Sequence, residues 1–444
     1  MAASAYNRFL TDDFAACPDC DLLQRLPVLE PQAAAVCRRC GRELRRYRPD
    51  SLNRTLALAA AAATLYVVAN AVPMLGLTVV GREAETTVFG GAWHLLQNDQ
   101  RLVGLLVLFT AVIAPAVQIA LTLAVIAGVS RDHPPRWVAR LMRLHPTAQT
   151  WSMIEVMMLG VLVALVKIAD YATVIPGLAL FVIGGLVLLL AAMQASFDPA
   201  EVWRRVTWVG ARDSSLLPLE LEATDADGRA VGRSALELGL ERCDTCGLVS
   251  QPVGAESGRC PRCGAAIEFR KAEAFQRAWA FLIAAAICYV PANLLPVLRT
   301  TTDAGTDSDT ILQGVVLLWS PRGWPLSLIV LVASIVIPSA KIAALAYLLI
   351  TAQRGSAVSF NQRVRLYRTV EFIGRWSMVD VFVDTFTAAL IQLQPLMSVE
   401  PGPGLVFFAA VVVLTMLAVE SFDPRLIWDP AIGRGFATKE AGYA

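Results

Sequence analysis

Eight of the nine cysteines fall into four Cys-x-x-Cys pairs: Cys17/Cys20 with Cys37/Cys40, and Cys243/Cys246 with Cys260/Cys263. Each pair presents two thiolates about one turn apart, and two pairs complete a tetrahedral four-sulfur site. The short gap between pairs suits a β-hairpin ribbon. Gly follows Cys40 and Cys263 and permits the tight turn that brings backbone amides near sulfur. A four-thiolate shell has no open position, so the expected chemistry is structural binding of Zn2+. Iron uses the same ligand set and stays open. Neither pair lies in a βαβ pattern, which argues against thioredoxin-like redox chemistry. Ribbons this small need their metal to fold. Their role is either docking (to the opposite half, to cytoplasmic loops or to a partner) or a cap that stabilises the helices. Cys288 stands in an apolar run and reads as a packing residue.

The second set is ionisable residues in apolar sequence: Glu155, Lys167, Asp170, Lys341, Asp380 and Asp384. In a bilayer such residues are costly and face a protein interior or a wet cavity. "TWSMIEVMMLG" (150–160) and "RWSMVDVFVDTF" (375–386) place Glu155 and Asp380 behind the same Trp-Ser-Met. Asp380 and Asp384, at i and i+4, share one helix face. At 1.5 Å per residue, Asp384 lies ~13 Å and Lys341 ~15 Å from the cytoplasmic ends of their spans. A Lys341 pair with Asp384 or Asp380 would hold both charges in the membrane. The cluster is either a satisfied interhelical pair or a polar site in a substrate cavity, able to exchange a proton. The shared Glu155/Asp380 position, close to the boundary, reads as a structural anchor. Lys167 and Asp170 can reach the opposite interface and pair with each other.

The elements that must position these residues are membrane helices. The chain has 444 residues, is 56% hydrophobic and has a mean hydropathy of +0.55, more apolar than a soluble protein of this size. The net charge of +1 is uninformative, since placement of charge decides topology. Apolar runs long enough to span cover 55–75, 102–128, 151–171, 177–195, 275–297, 324–351, 376–394 and 404–420. Segments 130–150 and 353–375 are rich in Arg, whereas 172–176 and 298–322 are not. The positive-inside rule therefore predicts cytoplasmic termini and a cytoplasmic middle segment. The polar start, with a cysteine cluster before any apolar run, predicts no cleaved signal peptide.

The chain is duplicated. "LYVVANAVPML" (65–75) matches "CYVPANLLPVL" (288–298), aligning Tyr66 with Tyr289 and Asn70 with Asn293. A near-constant offset also pairs Pro115 with Pro338, Trp151 with Trp376, and Ser-Phe-Asp-Pro at 196–199 with 421–424. The organisation read is a zinc ribbon (12–48), a four-helix membrane module (52–203), a second ribbon (238–271) and a second module (273–428). Four spans keep the orientation, so the modules are parallel repeats about an axis along the membrane normal. The fold class is thus an α-helical polytopic membrane protein with two tandem modules, each preceded by a ribbon. Pro115 and Pro338 predict bends, Ser-Phe-Asp-Pro predicts helix stops, and Trp203 and Trp428 are candidates for an interfacial belt. "TVFGGAWHLL" and "TILQGVVLLW" read as interfacial or re-entrant helices open to a periplasmic partner.

Against its twins, the second half stands out. Lys341 aligns with Gln118 and Asp384 with Leu159, so the base and second acid belong to one half alone. No P-loop, His-Glu-x-x-His or Gly-x-Ser-x-Gly is present, and the three histidines are scattered. No enzyme activity and no nucleic-acid partner are expected.

Two halves with paired Cys-x-x-Cys ribbons and four spans, repeating Trp-Ser-Met-acid and Ser-Phe-Asp-Pro, resemble the bacterial paraquat-inducible protein A family over about residues 15–430. The resemblance implies an inner-membrane protein that moves phospholipid to or from periplasmic MCE-domain tunnel proteins, with modules like the tetraspanin or claudin four-helix arrangement. It also makes Lys341, Asp380 and Asp384, with Thr385 and Thr387 beside them, candidate lipid-path residues. Two other readings remain: a proton- or ion-coupled small-solute transporter, and a non-transporting scaffold whose ribbons recruit a cytoplasmic partner.

Overall fold

The computed structural model describes residues 6–9, 14–79, 82–97, 101–152, 154–168, 173–206, 222–224, 230–252, 258–302, 305–319, 324–356, 359–376, 392–393 and 397–432. Strand β1 (Tyr6–Phe9) precedes two hairpins, β2 (Phe14–Ala16) with β3 (Leu23–Arg25) and β4 (Ala34–Val36) with β5 (Glu43–Arg46). The first half continues with α1 (Ser51–Ala71), β6 (Leu75–Val79), β7 (Arg82–Thr86), α2 (Val88–Gln97) and α3 (Arg101–Val107). A π-helical turn at Leu108–Ile113 leads into α4 (Ala114–Val129), α5 (Trp137–Trp151), α6 (Ile154–Ile168), β8 (Thr173–Pro176), α7 (Leu178–Ser196) and α8 (Pro199–Arg205). Short strands β9 (Glu222–Thr224), β10 (Ala230–Gly232), β11 (Glu241–Arg242) and β12 (Val249–Pro252) open the second half. It then repeats the order: α9 (Ala274–Leu294), β13 (Leu298–Thr302), β14 (Gly305–Asp309), α10 (Ile311–Leu318) and α11 (Trp324–Leu331). A π turn at Val332–Val336 leads into α12 (Ile337–Gln353), α13 (Phe360–Trp376), β15 (Gln392–Leu393), β16 (Met397–Pro401) and α14 (Pro403–Ser421).

Six described helical stretches are long and apolar enough to cross a membrane: Ser51–Ala71, Leu108–Val129, Leu178–Ser196, Ala274–Leu294, Val332–Gln353 and Pro403–Ser421. The third apolar run of the sequence is helical as α6. The seventh, 376–394, lies almost wholly outside the described residues.

Local chemistry sets the same boundaries twice. α1 and α9 begin after Asp50 and Glu273, both at φ 53, and end in extended residues ahead of Pro73 and Pro296, as the residue before proline requires. Gly177 and Gly402 open α7 and α14 against the backbone, where a Cβ would clash with Pro73 O and Pro296 O. Those junctions carry the small antiparallel sheets at the end of the helices away from the ribbons, β7-β6-β8 and β14-β13-β16-β15. The expected bends at Pro115 and Pro338 take the form of the π turns just before them, since proline supplies no amide to the helix. Tyr66 Oη donates to Val112 O at 2.7 Å and Tyr289 Oη to Ile335 O at 3.1 Å, which occupies a carbonyl in each distorted turn. Small residues on α1, Ala59, Ala62 and Ala69, are buried in a core that also holds Ala292, Leu405 and Phe408 of the second half. Small side chains let membrane helices approach closely.

The ribbons cross over. Cys17, Cys20 and Cys37 of the first ribbon are buried with Leu345, Val364, Tyr367, Phe422 and Trp428 of the second half. Cys243, Cys260 and Cys263 of the second ribbon are buried with Val125, Val138, Met142, Phe197 and Trp203 of the first. The polar contacts repeat the crossing. Arg368 of the second half donates to Cys40 O at 3.1 Å, and its counterpart Arg143 of the first half donates to Gly264 O at 3.3 Å. The ribbons also join each other, β1 pairing with β12. Trp203 and Trp428 are therefore not belt residues: they are 3% and 6% exposed, because a ribbon covers each. Phe360 stacks on Trp428 at 5.0 Å and Arg39 of the first ribbon lies over its ring.

Candidate functional site

Each ribbon gathers its four Sγ atoms within 4.8 Å of one another. Cys17–Cys40, Cys20–Cys37, Cys243–Cys263 and Cys246–Cys260 stand at 3.5 Å, and all eight cysteines are free of disulfides. A tetrahedral ion with bonds of about 2.3 Å sets sulfurs near 3.8 Å apart, so four thiols at this spacing fit one metal ion. The knuckles are built by tight turns, with Gly41, Gly247 and Gly264 at φ 71, 73 and 71. In the fourth, Asp21 takes the left-handed position at φ 60. Around the first site, Arg368 donates to Cys40 Sγ at 3.2 Å and pairs with Asp19. Such outer contacts stabilise thiolate charge and orient ligands.

The substitution at Asp21 is explained by what its side chain does. Its Oδ2 accepts from Leu236 N at 3.1 Å and from the Arg270 guanidinium at 3.2 Å. Arg270 also binds Asp429 at 2.7 Å, and Arg425 binds Asp423 at 2.8 Å. This buried cluster joins the first ribbon, the end of the second ribbon and the segment after α14. Burial pushes the Asp21 and Asp429 carboxyls above the usual carboxylate range, opposed by Arg270. Burial also works against the Asp423 charge, yet the Arg425 guanidinium holds its carboxyl below that range. Sequence reasoning missed the cluster; the signal was Asp in the place where the other knuckles carry Gly.

Lys341, on α12, is 3% exposed. Its Nζ donates to Thr415 Oγ1 on α14 at 2.9 Å, and that hydroxyl donates to Val412 O at 2.9 Å. Thr415 was also missed, though the repeat marks it: its counterpart is Leu190. At Gln118, the counterpart of Lys341, the buried amide has no hydrogen-bond partner among the described residues. One turn on, Thr122 meets the His145 ring at 3.2 Å, and burial holds that imidazole below its ordinary pKa. Glu155 is half-buried in the first turn of α6. Asp170, Asp380, Asp384, Thr385 and Thr387 lie outside the described residues, as does the side chain of Lys167 within α6.

Above Lys341, a cavity of about 630 Å³ is lined by residues of α5 from the first half, of α13 and α14 from the second, and by Arg42 of the first ribbon. Gly374 lies between the two: a Cβ there would sit 3.9 Å from Lys341 Nζ.

Fold and site together define a class: a duplicated polytopic helical membrane protein carrying two four-cysteine groups that could hold a metal ion and a buried lysine in one repeat. The chain belongs to the paraquat-inducible protein A family, whose profile matches residues 52–207 and 275–431. It is 31% identical over 417 residues to "Lipophilic envelope-spanning tunnel protein A" of Escherichia coli K12, covering 94% of this chain and 91% of that one. It is 33% identical over 419 residues to "Intermembrane transport protein PqiA" of the same organism, covering 93% and 95%. A "Probable intermembrane transport protein" of Haemophilus influenzae is 26% identical over 426 residues, covering 93% and 95%. No solved structure is significantly similar.

Proposed function

We propose that the chain is a non-enzymatic inner-membrane subunit of an intermembrane phospholipid transport system. It passes lipid to or from a periplasmic MCE-domain tunnel protein, with both termini and both ribbons in the cytoplasm. The observation that carries the reading is the Lys341–Thr415 site, present in one repeat and set beneath a cavity shared by both modules. The names of the family relatives support transport between membranes. A duplicated scaffold with one polar repeat suits a lipid path better than a symmetric pore, because a buried ammonium can receive a phosphate headgroup.

The direct test is lipid transfer between donor and acceptor vesicles with the MCE-domain partner present. Lys341→Met is expected to slow transfer roughly 10- to 100-fold, the loss matching one buried charge-assisted hydrogen bond of about 1.5–3 kcal/mol. Purified protein that carries no lipid and retains no MCE-domain protein would sink the proposal. pH-dependent solute uptake abolished by Asp384→Asn would assign ion-coupled transport instead. Intact transfer in Lys341→Met with loss in Cys246→Ser would leave a scaffold.

Both ribbons hold zinc in this reading. The purified chain is expected to contain two equivalents, one for each four-cysteine group, by elemental mass spectrometry. Cys246→Ser should lower the content to one. Stoichiometric iron would reassign the metal.

A further inference from the structure

The cavity between the modules has polar chemistry that the metal sites and Lys341 leave unused. It lies at the pseudo-two-fold axis, because both members of two repeat pairs line it: Pro146 with Glu371, and Gln149 with Gly374. Three charged side chains at this cavity have no charged counterpart in the repeat. Glu371 stands opposite Pro146, Glu420 matches Ala195 and Arg42 matches Ala265. Neither the Glu371 nor the Glu420 carboxylate forms an ion pair among the described residues, although Lys271 Nζ donates to Glu420 O at 2.6 Å. Asp19 holds Arg368 and also stands 3.8 Å from Arg42, whose side chain stays 40% exposed towards the cavity rim. Apolar Phe372, Met416 and Val419 complete the lining. The charges that lack a twin thus gather at one opening, Glu371 and Glu420 from the second half and Arg42 from the first ribbon, directly over Lys341 through Gly374.

The geometry points to this cavity as a vestibule for zwitterionic, amine-bearing phospholipid headgroups, with Glu371 and Glu420 receiving the ammonium and Arg42 the phosphate. This rests on the reading of the chain as a phospholipid carrier. Both signs of charge on one rim complement a zwitterion, and the two carboxylates disfavour a headgroup that is only anionic. A volume of about 630 Å³ falls in the usual range for small-ligand pockets. Acyl chains meet the apolar lining while the head stays at the charged rim.

The full-length protein is placed in nanodiscs of equimolar phosphatidylethanolamine and phosphatidylglycerol, released in mild detergent, and its retained lipid is read by native mass spectrometry. The wild type is expected to hold the amine-bearing lipid about fivefold over its share, the factor two exposed ion pairs supply. Glu371→Gln/Glu420→Gln returns the ratio to that of the bulk membrane, and Arg42→Ala lowers retention of both lipids together. Unchanged zinc content and melting temperature show that the substitutions, at exposed Glu371 and Glu420 and half-buried Arg42, leave the fold in place. Retained lipid without a headgroup preference, or a preference that survives the double variant, overturns the inference and leaves the carrier reading standing. Absence of any retained lipid overturns both. Soluble phosphoethanolamine is expected to leave the lipid in place; displacement by it marks a soluble-ligand site and overturns the vestibule.

Discussion

Replacing Cys20 and Cys37 with alanine is expected to loosen the second half of the chain and spare the first. Both thiols belong to the four-cysteine group of the first ribbon, which could hold a metal ion, and metal binding is worth about 10–16 kcal/mol of folding in comparable small sites. That ribbon covers Leu345, Val364, Tyr367, Phe422 and Trp428, all of the second half. Its loss also removes Asp19 and Cys40 from Arg368. Amide exchange in α13 and the ribbon-facing turns of α12 should therefore quicken by roughly a hundredfold, for about 3 kcal/mol of lost cover and pairing. The mirror variant, Cys243→Ala/Cys260→Ala, should quicken exchange in α5 and α8, where Met142, Val138 and Trp203 lose their cover. Hydrogen–deuterium exchange on the two variants separates the halves peptide by peptide. Faster exchange on the same side as the altered ribbon would mean that each ribbon serves its own module.

What the sequence revealed and what it hid follow from the range of the interactions. The metal knuckles were legible because ligand spacing is local, and the helices because apolar length is local. The duplication was legible because equivalent residues keep their offset. Equivalence does not say which half a residue touches, so docking to the opposite half stood as one option among several, even with Arg143 and Arg368 both in view. For the same reason Trp203 and Trp428 read as interfacial when a ribbon in fact buries each. Thr415 was hidden for a different reason. A threonine in a helix satisfies itself on the preceding turn, as Thr415 does on Val412 O, so it leaves no mark in an apolar pattern. Only its repeat partner, Leu190, shows that a hydroxyl has been added opposite Lys341. The acids behind Trp-Ser-Met divide in the same way. Glu155 is placed at a helix start, while Asp380 and Asp384 fall outside the described residues.

Arg270→Ala should be the most damaging single change outside the metal ligands, and its cost should depend on pH. Arg270 lies between Asp21 and Asp429, at 3.2 and 2.7 Å, all three buried. Removing it leaves two buried carboxylates facing a lost cation, a change that costs about 3–5 kcal/mol in comparable sites. Burial already raises both carboxyls, and Arg270 is among the groups opposing that rise. In the variant that opposition is gone, so both carboxyls keep their protons to higher pH when folded. The unfolded chain releases those protons in the ordinary carboxylate range. Between the ordinary and the raised values the folded state binds more protons, and stability falls as pH rises. The melting-temperature deficit of Arg270→Ala should accordingly be largest at about pH 7 and shrink towards about pH 5. The Asp423–Arg425 pair works in the opposite sense, because Asp423 is lowered. Its contribution is lost only at more acidic pH, and the two effects separate on the pH axis. Adding Asp21→Asn to Arg270→Ala should recover part of the stability at neutral pH and flatten the dependence. A deficit that is constant with pH in the single variant would mean that packing, not charge, ties the ribbons to the end of the second half.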